Sequence, residues 1–343
     1  MRAAILVLAL CLPRPARAAV QAGIDVLEHD GFAELKGKRV GLITNPTGVD
    51  RSGRPTWEIL ATAPDVQLVA LFAPEHGALG KIEDRDVSSG TWTLPGGRQV
   101  PLYSLYGATK APTTDMLAGL DALVFDIQDI GARFYTYDST MGMALEAAAH
   151  AGKEFVVLDR PNPIGGDIVE GAMLDPGIRH FTAYFPVTTR HGLTVGEIAR
   201  LHDAVLGLHA RLSVVRLEGW HRDMWHDETG LKWVPPSPNM PNLDAAALYP
   251  GIGCLEATNM SVGRGTPVPF RWIGAPWLDS KALAKRMNAA KLPGVKFSAE
   301  SSAPTKVPFK GLRCPGLRIK ITDRDALRPV TVFAHLVTAL RDL

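Results

Sequence analysis

Short apolar runs, each ending abruptly in polar, glycine- and proline-rich residues, set the rhythm of the first half of the chain. Lys38 to Thr44 (KRVGLIT) runs into Asn45-Pro46-Thr47-Gly48, and Val66 to Phe72 (VQLVALF) into Ala73-Pro74-Glu75-His76-Gly77. Leu123-Val124-Phe125 leads into Asp126, Gln128, Asp129, Gly131, Arg133, Tyr135 and Tyr137, and Glu154 to Leu158 (EFVVL) into Asp159-Arg160-Pro161-Asn162-Pro163-Ile164-Gly165-Gly166. Apolar runs of this length and composition predict buried strands. Residues 54–63, 115–120 and 139–151 between them have helical character, the last with Ser139 placed as its cap. Strands alternating with helices predict βαβ units, hence an α/β fold built on a mostly parallel sheet. In such a sheet every strand points the same way, so the four polar loops converge on one edge, where α/β proteins bind ligands. Residues 81–101 are turn-rich and lack a period, which reads as a flap.

Beyond Gly166 the punctuation continues with Val169-Glu170-Gly171 and Arg190-His191-Gly192. Thr194 with Glu197 forms a capping box that opens a helix through Leu206, followed by a strand at 212–217. Pro235 to Asn242 (PPSPNMPN), which carries Asn239, is a stiff linker or the wall of a cleft. Asn259 and Arg264 lie in a glycine-bearing loop whose backbone can approach a ligand while the guanidinium takes an anion. A helix at 279–290, strands near Val295 and at 317–321, and a helix from Pro329 onward predict a smaller α/β auxiliary domain. The expected division is 1–18 as a leader, 19–208 as the main domain and 209–343 as the auxiliary one.

Composition narrows the function. With 343 residues, 46% of them hydrophobic and 21% charged, the chain can bury a sizeable core. A net charge of +2 without a Lys/Arg stripe argues against nucleic acid as partner. No GxGxxG follows the first strand, so no nucleotide cofactor is indicated, and no HExxH or CxxC marks a metal site. His221, Asp223, His226 and Asp227 cluster without a standard ligand spacing and read as a solvated loop. Arg2, the apolar run 3–12 and Ala16-Arg17-Ala18 form a cleavable leader, too short to span a bilayer. It predicts a soluble, exported, periplasmic protein beginning at Ala19. Cys254 and Cys314 survive that cleavage into an oxidising compartment, which predicts a disulfide between them.

The long motifs GLITNPTGVD, LFAPEHG, VFDIQDIGARFYTY, LDRPNPIGG, RHGLTVGEIA, PSPNMPN and LEATNMSVGRGTPVPF, in this order, resemble the NamZ-type exo-β-N-acetylmuramidases. The resemblance covers Val40 to Asp323. It implies an exported hydrolase of peptidoglycan turnover that removes terminal β-linked N-acetylmuramic acid from glycan fragments. It also implies a Rossmann-like domain with the active site in a cleft against the auxiliary domain. Family members usually continue beyond a helix like 330–343, so this chain reads as shortened at its C-terminus. Lys81-Ile82-Glu83 places a further acid near Glu75.

Glycoside hydrolysis needs an acid on the leaving oxygen and, as a rule, a second carboxylate. Glu75 is the expected acid, because a Glu in a partly apolar cleft can be tuned toward neutrality. Asp126, Asp129 and Glu170 are candidates for the second group, and a substrate 2-acetamido group acting as nucleophile is the other possibility. The lactyl carboxylate calls for a cation from Arg133, Arg160, Arg190 or Arg264. Tyr135, Tyr137, Asn162, His76, His191, Asn239 and Asn259 are the remaining substrate-binding candidates. Each arginine and acid also has a purely structural reading as a partner in an ion pair or cap. A periplasmic binder of muropeptides or sugars that performs no chemistry is the alternative from a different class, since two-domain clefts also capture solutes.

Overall fold

The computed structural model describes residues 19–80 and 87–342; the leader at 1–18 and Glu83 lie outside the described residues. In chain order the large unit contains α1 (Gly23–His29), β1 (Arg39–Thr44), α2 (Thr56–Thr62), β2 (Gln67–Ala73), β3 (Gly90–Thr93), β4 (Gln99–Ser104), α3 (Thr114–Leu117), β5 (Ala122–Asp126), α4 (Thr136–His150), β6 (Glu154–Leu158), α5 (Val195–Leu206) and β7 (Arg211–Val215). Its seven strands lie in the order β3-β4-β2-β1-β5-β6-β7, parallel except for β3, which turns back on β4. The second unit holds α6 (Leu243–Ile252), β8 (Trp272–Gly274), α7 (Ser280–Ala289), β9 (Val295–Ser302), β10 (Cys314–Ile321) and α8 (Pro329–Arg341), with an antiparallel sheet β8-β10-β9. This is the expected mixed α/β architecture, with a large parallel sheet and a smaller partner.

Strand parity sorts the core into two layers. Successive side chains of a strand point to opposite faces. Leu123 and Phe125 of β5, with Phe155 and Val157 of β6, join one apolar cluster with Met141 and Leu145 of α4 and Ile198 of α5. Ala122, Val124, Val156 and Leu158 join the other, with Ile24 and Leu27 of α1 and Ile59 and Leu60 of α2. All five residues of β5 are buried, so this strand reads as a continuous apolar run and not as an alternation. Gly41 in β1 is tolerated because a Cβ there would meet Leu120 and Phe72 at 2.7 and 2.8 Å.

Several expectations are corrected. β7 pairs in parallel with β6 and lies beyond the boundary expected at 208/209, so the large sheet extends past it. Part of the expected flap is sheet, since β3 and β4 pair at its edge. Helix α4 begins at Thr136, with Tyr135 as the flanking residue, and Ser139 is buried in its first turn instead of capping it. Cys254 and Cys314 are free thiols. Cys254, in the turn after α6, directs its Sγ to the Pro250 carbonyl oxygen, and Cys314, at the start of β10, directs its Sγ to that of Leu312. Sequence reasoning missed α6, which is buried around nearly its whole circumference and so has no amphipathic stripe to find.

Candidate active site

Glu75 follows β2 on the edge where the parallel strands end, half-buried, with its Oε2 accepting a hydrogen bond from Thr136 Oγ1 at 2.5 Å. Thr136 is the first residue of α4, so Glu75 sits at the positive end of a 15-residue helix. Among the described residues its Oε1 has no hydrogen-bond partner. His76, in left-handed backbone at φ 68°, turns the loop beside it. Tyr137 is buried and donates to the Pro236 carbonyl at 2.5 Å; burial, reinforced by the charge of Glu75, pushes its phenol well up. It is therefore a neutral hydrogen-bonding group.

The second unit closes on this edge through aromatic rings. Tyr135 packs edge-on against Tyr137 at 4.9 Å and against Tyr249 of α6 at 5.7 Å, and Tyr249 against Phe270 at 4.7 Å. Arg264 lies over the Phe270 ring at 5.2 Å and binds Glu256 through Nε and Nη2, leaving Nη1 outside the pair. Burial raises the Tyr249 phenol, with Glu256 and Glu75 among the charges acting in the same sense. Glu75, Tyr135, Tyr137, Tyr249 and Arg264 thus share one neighbourhood.

Behind Tyr135 lies a buried polar cluster. His191 Nε2 is 3.3 Å from Asp129 Oδ2 and 3.7 Å from Asp138 Oδ2. Asp129 Oδ2 also accepts the Gly131 N–H at 2.6 Å. Gly131 is needed there: its φ is +82°, and a Cβ would lie 2.7 Å from Asn162 Oδ1. Burial and the charge of Asp129 hold the Asp138 carboxyl protonated well above the usual range. The helix N-terminus favours the anion by only about 0.3–1 kcal/mol, too little to offset desolvation and a like charge together. Three ligand-type groups within 4.8 Å could suggest a metal. However, His191 Nδ1 accepts the Leu193 N–H at 3.1 Å, so the neutral ring carries its proton on Nε2 and presents no lone pair to a cation there. The arrangement suits a shared proton better than a metal.

Other candidates serve the scaffold. Asp126, fully buried, binds Arg160 Nε and Nη2 at 2.6 and 2.9 Å and accepts Thr56 Oγ1 at 2.5 Å. Parity explains the pairing: Asp126 and Arg160 each lie two residues beyond Val124 and Leu158, on the α1/α2 side of the sheet and away from Tyr135. Glu170 accepts the Val330 and Thr331 N–H groups and Thr331 Oγ1 at 2.7–3.1 Å, which makes it the cap of α8. Arg133 Nη1 donates to the Ala172 and Val187 carbonyls. Asn162 bridges Leu193 O and Ile164 N. Arg190 is buried with Nη2 on the Ile164 carbonyl, and burial lowers it to about 10. Asn239 is half-buried and Asn259 exposed. Asp138, Thr136 and Tyr249 were missed, because each reads as an ordinary helical residue until the tertiary fold brings it to the strand edge.

The chain matches two family models: exo-beta-N-acetylmuramidase NamZ, N-terminal, over residues 40–244, and the corresponding C-terminal model over residues 247–343. It is 46% identical over 324 residues to the peptidoglycan beta-N-acetylmuramidase NamZ of Bacillus subtilis (strain 168), covering 94% of this chain and 78% of that one. The crystal structure of a DUF1343 family protein from Bacteroides fragilis NCTC 9343 superposes with a TM-score of 0.87 at 41% identity, covering 96% of this chain and 84% of the other. A second DUF1343 family protein from the same strain gives 0.72 at 28% identity, over 95% and 84% of the two chains.

Proposed function

The chain belongs to the NamZ family of exo-β-N-acetylmuramidases, and from that membership we propose that it releases terminal β-linked N-acetylmuramic acid from peptidoglycan fragments. The observation that carries this reading is the match of both family domains across 40–343. Glu75 is the general acid: Thr136 fixes one carboxyl oxygen and leaves the other to meet the glycosidic oxygen. Of the three second-group candidates, Asp126 is tied into an ion pair and Glu170 into a helix cap, whereas Asp129 Oδ1 has no hydrogen-bond partner among the described residues. Asp129, with the proton held by Asp138, is therefore assigned to the second role, either as a carboxylate or by orienting the 2-acetamido group. Arg264 Nη1 is the cation for the lactyl carboxylate, with Glu256 holding the guanidinium plane.

Incubation with a chromogenic β-N-acetylmuramide beside the matching β-N-acetylglucosaminide tests this. Release from the muramide, with the glucosaminide disfavoured by the loss of the Arg264 contact, is expected. Binding without release would restore the sugar-binder reading, and equal turnover of both would remove carboxylate recognition. The leader pattern at 1–18 supports export with Ala19 as first residue, checked by the intact mass of the secreted form.

A further inference from the structure

We propose that the cavity on the opposite side of the strand-end loops from Glu75 is a binding site for a small anion, a carboxylate or a phosphate, with Arg160 as its fixed cation. The strand order runs outward in both directions from β1 and β5, so the crevice between their C-terminal ends is the topological switch point of the sheet. A cavity of about 240 Å³ opens there, lined by Thr47, Gln128 and Arg160 from three strand-end loops and by Arg51, His226 and Lys232.

Its floor is a built cation. Arg160 is 5% exposed; Nε and Nη2 hold Asp126 and the Val49 carbonyl, and Nη1 has no partner among the described residues. A guanidinium clamped on one edge and open on the other is pre-organised for an anion, because its rotamer entropy is already lost. Arg51 and Lys232 are exposed at the same cavity, with no ion pair among the described residues. Asp50 is the one carboxylate among the lining residues, and it is occupied by Ser52 Oγ, the Arg54 N–H and the Arg54 guanidinium. Neighbouring Asp25 accepts the Ala22 and Arg51 N–H groups. His226 is kept neutral by burial and by the charge of Arg160, so Arg51 and Lys232, without an ion pair among the described residues, face the cavity beside the open edge of Arg160, whose other edge is balanced by Asp126. The site is separate from Glu75, which does not line this cavity, and it does not depend on the glycosidase reading.

Calorimetric titration of the full chain with inorganic phosphate and with acetate, beside neutral N-acetylglucosamine, tests the proposal. Saturable binding of one or both anions is expected, weakened at least about tenfold in Arg51→Ala/Lys232→Ala by the loss of two charge-assisted contacts. Preference for phosphate would point to a phosphorylated ligand and preference for acetate to a carboxylic acid. Turnover of the muramide by the same double variant should be unchanged, which separates this cavity from the Glu75 site. If neither anion binds saturably, or both bind the double variant as tightly as the parent, the proposal fails. Arg160→Lys, which keeps the charge but loses the fork, should also weaken binding; if the double variant does not fold, equal binding by Arg160→Lys would overturn the assignment.

Discussion

At the scale of single residues, the site separates acids by what already holds them. Glu75 has one oxygen fixed by Thr136 and, among the described residues, one without a hydrogen-bond partner, which is the arrangement a proton donor needs. Glu75→Gln should therefore lower kcat on the muramide by about 10²–10⁴ while leaving the fold and KM near those of the parent. Unchanged turnover would take the acid role away from Glu75. Asp138 makes the complementary case. Its folded pKa is raised by burial, so folding at neutral pH requires it to take up a proton that the unfolded chain lacks. The stability this group contributes is present below its ordinary pKa and is lost as pH rises. Asp138→Asn removes the titration but keeps the shape, so its Tm relative to the parent should rise between pH 4 and pH 7. A constant difference across that range would mean that Asp138 is ionised in the fold.

At the scale of elements, α4 and α8 show how helix ends organise the molecule. The N-terminus of α4 faces Glu75, and that of α8 is capped by Glu170 from the other unit, 160 residues away in sequence. Three hydrogen bonds to a carboxylate at a helix end tie the two units together. Glu170→Ala should cost about 2–3 kcal/mol in denaturant unfolding, with Glu170→Gln intermediate because one acceptor oxygen survives. Turnover per folded molecule should be unchanged in both. A large loss of kcat in Glu170→Gln without loss of stability would return Glu170 to catalysis.

At the scale of the whole molecule, two buried groups of opposite sense shape the response to acid. His226 is depressed to about 4 by burial, with Arg160 adding to it, so its contribution is complete above pH 6.5 and is lost as pH falls toward 4. Asp159 is raised to about 6 by burial, which the Gly196, Thr194 and Arg160 hydrogen bonds only partly offset, so its contribution is complete below its ordinary 3.8 and is lost as pH rises through 6. The two oppose one another over the same window, and Asp138 acts in the same sense as Asp159, so the parent should lose stability as pH rises through it. Relative to His226→Gln, the parent should lose up to about 3 kcal/mol between pH 6.5 and pH 4. Parallel denaturation profiles for the two proteins would show that His226 is not held neutral.

The division between sequence and tertiary structure follows from range. Local apolar runs such as VQLVALF and EFVVL determined β2 and β6, because strand burial is written in consecutive residues. The turn-rich ends determined that Asn45, Glu75, Asp126 and Asp159 would gather on one edge, because parallel strands leave no alternative. The family motifs determined the class of chemistry. Which acid is available was decided only in three dimensions: Asp126 meets Arg160 across two strands, Glu170 reaches α8, and Asp138 is buried against Asp129 and His191. A carboxylate is identical in the sequence whether it caps a helix, pairs with a guanidinium or keeps a proton. Its environment sets which of these it does, and that environment is assembled from residues far apart along the chain.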